Sequence, residues 1–259
     1  MAELPARGRR AGAAARRHFH HDDRGTLALS IGRIALLFLL AGVAAASSAS
    51  PPSNVEIEYE FTRDGGALAR IVERLERSGN EYQLTETWKG RGLYALLGTA
   101  RRVSRGSLTP TALRPREFFD ERSGRDTARA WFDWKTQQVT MQYQGERKTE
   151  PMFPDTQDRL SFLLALSLLP AKGTKSTSYH IVDGKGVSHH HYEVLGRERV
   201  KTPAGDFDTV RVARVSEGER KESADLWLAA ELGYLPVKLV VVEKDGTRLE
   251  QTAVRVTKG

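Results

Sequence analysis

The stretch NVEIEYEFT, residues 54–62, alternates apolar and acidic positions without a slip. Val55, Ile57, Tyr59 and Phe61 fall on one face, and Glu56, Glu58 and Glu60 on the other. A period of two marks a strand with one face buried and one wet. After the turn RDGG, residues 67–77 fit two periods at once. Leu68, Ile71, Val72 and Leu75 make a helical stripe, and Glu, Arg and Leu favour helix. The turn chemistry on both sides, RDGG before and SGN after, favours a hairpin instead, and strand is the reading adopted. GLYALLG, residues 92–98, reads as a short apolar connector of one helical turn. RRVSRGSL, ALRPREFFDE, TARAWFDWK and QVTMQYQG follow, separated by turn residues such as TPT and SGRD. That cadence is a meander of antiparallel strands.

One segment breaks the rhythm. PDTQDRLSFLLALSLLP predicts a helix over 158–169, with Asp155 as N-cap, Asp158 in the first turn and Pro170 as the stop. Such a helix is about 18 Å long, too short to span a bilayer. Leu160, Phe162, Leu163, Leu164, Leu166, Leu168 and Leu169 leave it almost no polar face, so it must be covered on most sides. It can serve as a plug on the open side of a curved sheet, or as a movable lid over an apolar pocket. Strand-like runs resume with STSYHIV, VSHHHYEVLG, FDTVRVARV, ADLWLA, PVKLVVVEKDG and TRLEQTAVRV, with Asp183-Gly184 and Asp245-Gly246 at tight turns. The predicted fold is mostly β: a single curved antiparallel sheet or half-barrel with one apolar helix packed in its concave face.

The amino-terminal residues are of another kind. Seven arginines against three acids precede the apolar run Ile34 to Ala46, and SSASPPS follows it. Basic flank, short apolar core and Ala-x-Ala exit are the parts of a secretory signal. The predicted division is a signal peptide over 1–49, with its apolar core at 34–46, and one β-rich periplasmic domain over 50–259. Cleavage fits after Ala46 or Ala49. The rival is a retained inner-membrane anchor, but thirteen uninterrupted apolar residues fall short of the roughly 20 that a spanning helix needs. Removing the leader takes Lys plus Arg from 40 to 33 and Asp plus Glu from 33 to 30, so the net charge falls from +7 to about +3. The remaining charges are interspersed, and nucleic-acid binding loses its main support. Without cysteine an exported chain has no disulfide, and core burial must hold it.

Three later stretches, QDRLSFLLALSLLP, TPAGDFDTVRV and DLWLAAELGYLPVKL, join the opening VEIEYEF and the segment LRPREFFDER in a characteristic order. Together they resemble the exported bacterial proteins of domain-of-unknown-function family 3108, over about Val55 to Val254. The resemblance implies the periplasm of a Gram-negative bacterium and brings no activity and no catalytic residues. The Pro-x-Gly-x-Phe turn, the Trp strand and the late Leu-Pro are also similar to lipoprotein-carrier-like half-barrels. Those are curved sheets that wrap a helix and shelter an acyl chain.

Candidate chemistry is sparse. No thiol nucleophile, Gly-x-Ser-x-Gly elbow or phosphate-binding glycine loop is present. If DGKG, residues 183–186, closes a hairpin, then Val182 pairs with Val187 and His180 falls opposite His189. His180, His189 and His191 then share one face and are the metal candidates, since three imidazoles and a water can hold zinc. Glu193 and Lys185 lie on that same side, which favours a solvated strip instead. Arg101, Arg102 and Arg105 read as the wet face of a strand, and Asp120 and Glu121 as solvated acids beside a turn. The preferred function is a non-catalytic envelope protein, without cofactor, that binds a lipid or other apolar small molecule. Trp131, Trp134, Phe162, Leu166, Trp227 and Tyr234 are its candidate wall. The alternatives are a structural or protein-partner module of the envelope with no cavity and, last, a metal-dependent hydrolase. Membrane contact is expected only through the export signal or a retained anchor.

Overall fold

Period-two burial runs through most of the chain in the computed structural model, which describes residues 53–109, 112–170, 173–215 and 222–259. The leader, with its apolar core and both cleavage sites, lies outside the described residues. In the first half, β1 (Asn54–Arg63), β2 (Gly66–Ser78) and β3 (Glu81–Gly90) are followed by a 3-10 turn at Gly92–Leu97. Then come β4 (Thr99–Leu108), β5 (Leu113–Arg122), β6 (Arg125–Asp133), β7 (Gln138–Tyr143) and β8 (Glu146–Pro151). The second half has β9 (Thr156–Asp158), α1 (Ser161–Ser167), β10 (Ser176–Val182), β11 (Val187–Thr202) and β12 (Gly205–Val215). It closes with β13 (Ser223–Ala229), β14 (Leu235–Val242) and β15 (Arg248–Lys258). Residues 67–77 are strand, as the turn chemistry predicts, and Val55, Ile57 and Tyr59 are buried.

All fifteen strands belong to one open curved sheet, in the order β8-β7-β6-β5-β4-β3-β2-β1-β15-β14-β13-β12-β11-β10-β9. Two meanders thus run outward from the central β1–β15 pair, which joins the first strand to the last. Laid flat, fourteen strand spacings would span about 67 Å. The two edge strands are nevertheless joined by Met152–Asp155 alone, a link that reaches at most about 18 Å. The sheet must therefore curl until its edges nearly meet. Contacts across the seam agree with this. Gln157 of β9 donates to the Leu113 carbonyl of β5 at 3.0 Å. Gly184, in the β10–β11 turn, approaches β6 so closely that a Cβ there would stand 2.9 Å from the Arg129 nitrogen.

Two expectations need correction. The helix is shorter than 158–169, spanning Ser161–Ser167, and Thr156–Asp158 is a strand. Asp155 does not cap it. The Asp158 carboxylate instead accepts the backbone N–H groups of Leu160 and Ser161, both at 2.8 Å, and turns the chain into the helix. The sheet is also not wholly antiparallel, because β9 pairs with β10 in parallel. Parallel neighbours need a long crossover, and residues 159–175, which contain α1, supply it. Among the described residues no helix is long and apolar enough to cross a membrane.

Candidate functional site

The most unusual feature of the interior is a row of charge across four adjacent strands. The register sets Glu73 of β2 opposite Glu86 of β3, Glu86 opposite Arg102 of β4, and Arg102 opposite Asp120 of β5. All four are at most 8% exposed. The three acids are in phase with apolar neighbours on their own strands, Glu73 with Ile71 and Leu75, Glu86 with Leu84, Asp120 with Phe118, and Arg102 is in phase with the buried Ser104. Two of these residues, Arg102 and Asp120, were expected on wet faces, and the structure corrects both. Ion pairs, not exposure, compensate their charges, although the Arg102 Nε is left without a hydrogen bond.

The Arg102 guanidinium donates to Glu86 at 2.6 Å, lies 3.3 Å from Asp120 and stands over the Trp88 ring at 5.6 Å. Arg122 grips Asp120 with two bonds of 3.1 and 2.8 Å. Burial alone would raise the Asp120 carboxyl, but those bonds and the two guanidinium charges hold it below its ordinary value. At the other end of the row, burial and the neighbouring Glu86 charge push Glu73 up to about 8. Two donors offset that rise only in part: the Gln251 side-chain amide at 3.3 Å and the Tyr59 hydroxyl at 3.2 Å, the latter also 2.7 Å from the Pro236 carbonyl.

A second polar node ties the sheet to α1. Tyr82 and Ser104 are 3.1 Å apart, and the Ser104 hydroxyl donates to Asp158 at 2.5 Å. Burial raises Asp158 to about 6 despite these bonds. Both networks bind interior groups to one another. Between Leu163 and Leu164 of α1 and the facing Val55, Ile57, Leu75, Leu84 and Leu235, about 10 Å³ is open. That is room for one water at most. Two larger hollows, partly open to solvent, lie elsewhere, of about 460 Å³ beside Tyr143 and Lys185 and about 370 Å³ beside Glu198 and Tyr234.

Of the six aromatic and apolar residues read as a wall, Leu166 belongs to the core cluster and Phe162, Trp134, Trp227 and Tyr234 pack against it. Leu166 is fully buried in the core, and Phe162 stacks on Tyr192 with ring centroids 6.1 Å apart. Trp134 donates to the Pro115 carbonyl at 2.7 Å. Trp131 lies under Arg147, and Trp227 is flanked by Arg211 and Lys238. Tyr234 borders the smaller groove with φ 64°.

The histidines separate. The predicted register holds, with Val182 opposite Val187 and His180 opposite His189. Those two rings lie 4.6 Å apart, and Asp155, in the β8–β9 link, joins them with Oδ1 2.9 Å from His180 Nδ1. His191 instead pairs with Ser178 at 3.0 Å. His190 is half-buried, which lowers its pKa, and it bonds to Ser188. Sequence reasoning missed Asp155 as a neighbour of the histidines because the parallel β9–β10 pair brings it there.

The chain matches the model of a family described as "Protein of unknown function (DUF3108)" over residues 54–253. No curated protein matches it. Among solved structures it is similar to a β-barrel-like protein of domain of unknown function DUF1849 from Brucella abortus. That pair has 11% identity and a TM-score of 0.54, covering 80% of this chain and 98% of the other. Looser likenesses are to a protein from Bacteroides fragilis described as exported with a YmcC-like fold, and to one from Parabacteroides distasonis described as a lipoprotein. The first has 13% identity, a TM-score of 0.37 and coverage of 81% and 98%; the second has 8%, 0.35, and 80% and 97%.

Proposed function

The chain belongs to the DUF3108 family, and on that footing we propose that it is an exported, non-catalytic protein of the bacterial envelope that works through its outer surface, as a protein-partner module. The basic leader with its short apolar core and Ala-x-Ala exit supports export to the periplasm. The observation that carries the rest is that the hollow between Leu163, Leu164 and the facing strands holds only about 10 Å³. Pockets for small apolar molecules occupy about 300–1,000 Å³, and the two hollows of that size are lined largely by charged and polar residues such as Arg147, Lys148, Arg197 and Glu198.

The helix sits inside the curve on this reading. α1 touches both β5 and β14, which are six strand spacings apart, about 29 Å along the sheet. A helix about 10 Å across can touch both only if the sheet wraps it. A lipid could enter only if α1 left its seat. Leu160, Leu163, Leu164, Leu166 and Leu169 are each at most 8% exposed, and uncovering each costs about 1.5–3 kcal/mol. Five such residues reach the whole stability of an ordinary domain, about 5–15 kcal/mol. The helix is a plug on this account, and the lid reading loses its ground. The outer surface, in contrast, carries Leu93 and Leu96, 85% and 86% exposed, on the β3–β4 connection.

Native mass spectrometry of protein purified from the periplasm tests the filled interior. The expected mass is that of the polypeptide alone, and a stoichiometric acyl lipid would overturn the reading. A photo-crosslinking residue at position 93 tests the partner. A discrete adduct from intact cells, absent with the crosslinker at position 201, is expected, and no adduct from either position would refute it.

A further inference from the structure

We propose that Asp155, His180 and His189 form a binding site for a divalent transition ion, which staples the edge of the sheet. Three segments far apart in sequence supply the ligands. Asp155 lies in the β8–β9 link, His180 on β10 and His189 on β11. One candidate ligand atom from each lies within 4.8 Å of the other two.

The arrangement is built by backbone structure. Parallel pairing sets Thr156 beside His180, and antiparallel pairing sets His189 opposite it. The turn that carries Asp155 is closed twice. The Thr156 N–H donates to the Phe153 carbonyl at 3.0 Å, and the Phe153 N–H donates to the Thr156 hydroxyl at 2.9 Å. Phe153 then stacks on His180, ring centroids 4.2 Å apart, and walls one side of the site. His180 and Asp155 are half-buried, and His189 stands at the exposed mouth.

The chemistry selects the class of ion. Bonds of about 2.0–2.1 Å in a tetrahedral site put ligand atoms about 3.3 Å apart. His180 Nδ1 and Asp155 Oδ1, now hydrogen-bonded at 2.9 Å, need part only slightly to reach it. The exposed His189 closes the rest by turning its side chain, which nothing buries. Two imidazoles and one carboxylate suit zinc, nickel or copper far better than calcium or magnesium, which demand more oxygen ligands. Water completes the shell. The site lies where the link between the edge strands meets the β10–β11 hairpin. A bound ion would hold those parts together in a chain that has no cysteine to do so.

The test uses the full, untagged chain, stripped with chelator and titrated with zinc chloride in a calorimeter. His18, His20 and His21 of the leader are replaced by alanine in every sample, because they could bind zinc themselves. One equivalent is expected to bind, and His189→Ala and Asp155→Asn each to weaken it at least about tenfold, with His191→Ala unchanged. Zinc at a hundredfold excess over its Kd should raise Tm by about 5–10 °C, and that rise should vanish in His189→Ala. The metal-free Tm of His189→Ala should match that of the parent, which separates lost binding from lost folding. Weak binding indifferent to His189→Ala and Asp155→Asn would mean an adventitious ion only, and would overturn the proposal. Equal losses from His191→Ala and His189→Ala, with none from Asp155→Asn, would overturn it as well, in favour of a plain histidine strip.

Discussion

Replacing Arg102 by methionine removes the cation at the centre of the interior row while keeping most of its volume. Its side chain is 10% exposed, and those of Glu86 and Asp120 are 5% and 7% exposed. Asp120 keeps the two bonds from Arg122, whereas Glu86 loses the 2.6 Å bond from Arg102. Breaking a buried pair from one side costs about 3–5 kcal/mol, because the remaining charge is left uncompensated. For a domain of this size that lowers Tm by about 6–20 °C. Urea unfolding followed by tryptophan fluorescence and calorimetry would measure it, with the m-value checked for a two-state transition. The double variant Arg102→Met/Glu86→Gln removes the orphaned charge and should recover at least half of the loss. A single-variant cost below about 1 kcal/mol would refute a dry, paired row. So would strict additivity of the two substitutions, since groups in direct contact must couple.

Two further outcomes follow from the same interior. Glu73 titrates near 8 when folded against an ordinary 4.5, so it takes up a proton on folding. Its contribution to stability therefore falls as pH rises from about 4.5 to about 8, by up to about 1.4 kcal/mol per pH unit. Glu73→Gln should gain on the wild type across that window in unfolding titrations, and a pH-independent difference would contradict the assignment. Leu164→Ala, at a fully buried position of α1, should cost about 2–5 kcal/mol in the same assay, whereas Leu93→Ala should stay within about 0.5 kcal/mol. Similar small effects at both would mean that α1 is not seated in a core.

What could be read from the sequence was whatever repeats locally. The alternation at β1, the turn residues around β2 and the Asp183-Gly184 hairpin each carry their own period or their own turn chemistry. They yielded the strands and the His180–His189 register. Elements at the two edges were not legible, and the reason is physical. The six residues of β8, Glu146–Pro151, are half or fully exposed and mostly charged, so no apolar phase marks them. Charge of that kind on an edge strand discourages pairing with another chain. β9 is three residues long, and a parallel partner reached through a crossover leaves no local sign. The site at Asp155 depends on that partner and was hidden with it.

The charged row was hidden for a different reason. An acid or arginine beside a turn defaults to solvent, and the default fails only when its phase within the strand is compared with its neighbours'. Glu73, Glu86 and Asp120 share the phase of buried residues on their strands, and that phase is written in the sequence. Their pairing is not, because it depends on three separate registers. The dependence also runs the other way. A slip of β3 by one residue would turn Glu86 to the outer face and leave Arg102 with Asp120 alone, while Leu84 followed Glu86 into water. Apolar residues alone would penalise the same slip through lost area. The row adds the cost of an uncompensated buried charge, a penalty that a wet, half-exposed alternative could not impose. On this argument its charges stay inside because they hold β2, β3, β4 and β5 in one register, and the recovery in Arg102→Met/Glu86→Gln should come with broader unfolding transitions than the wild type shows.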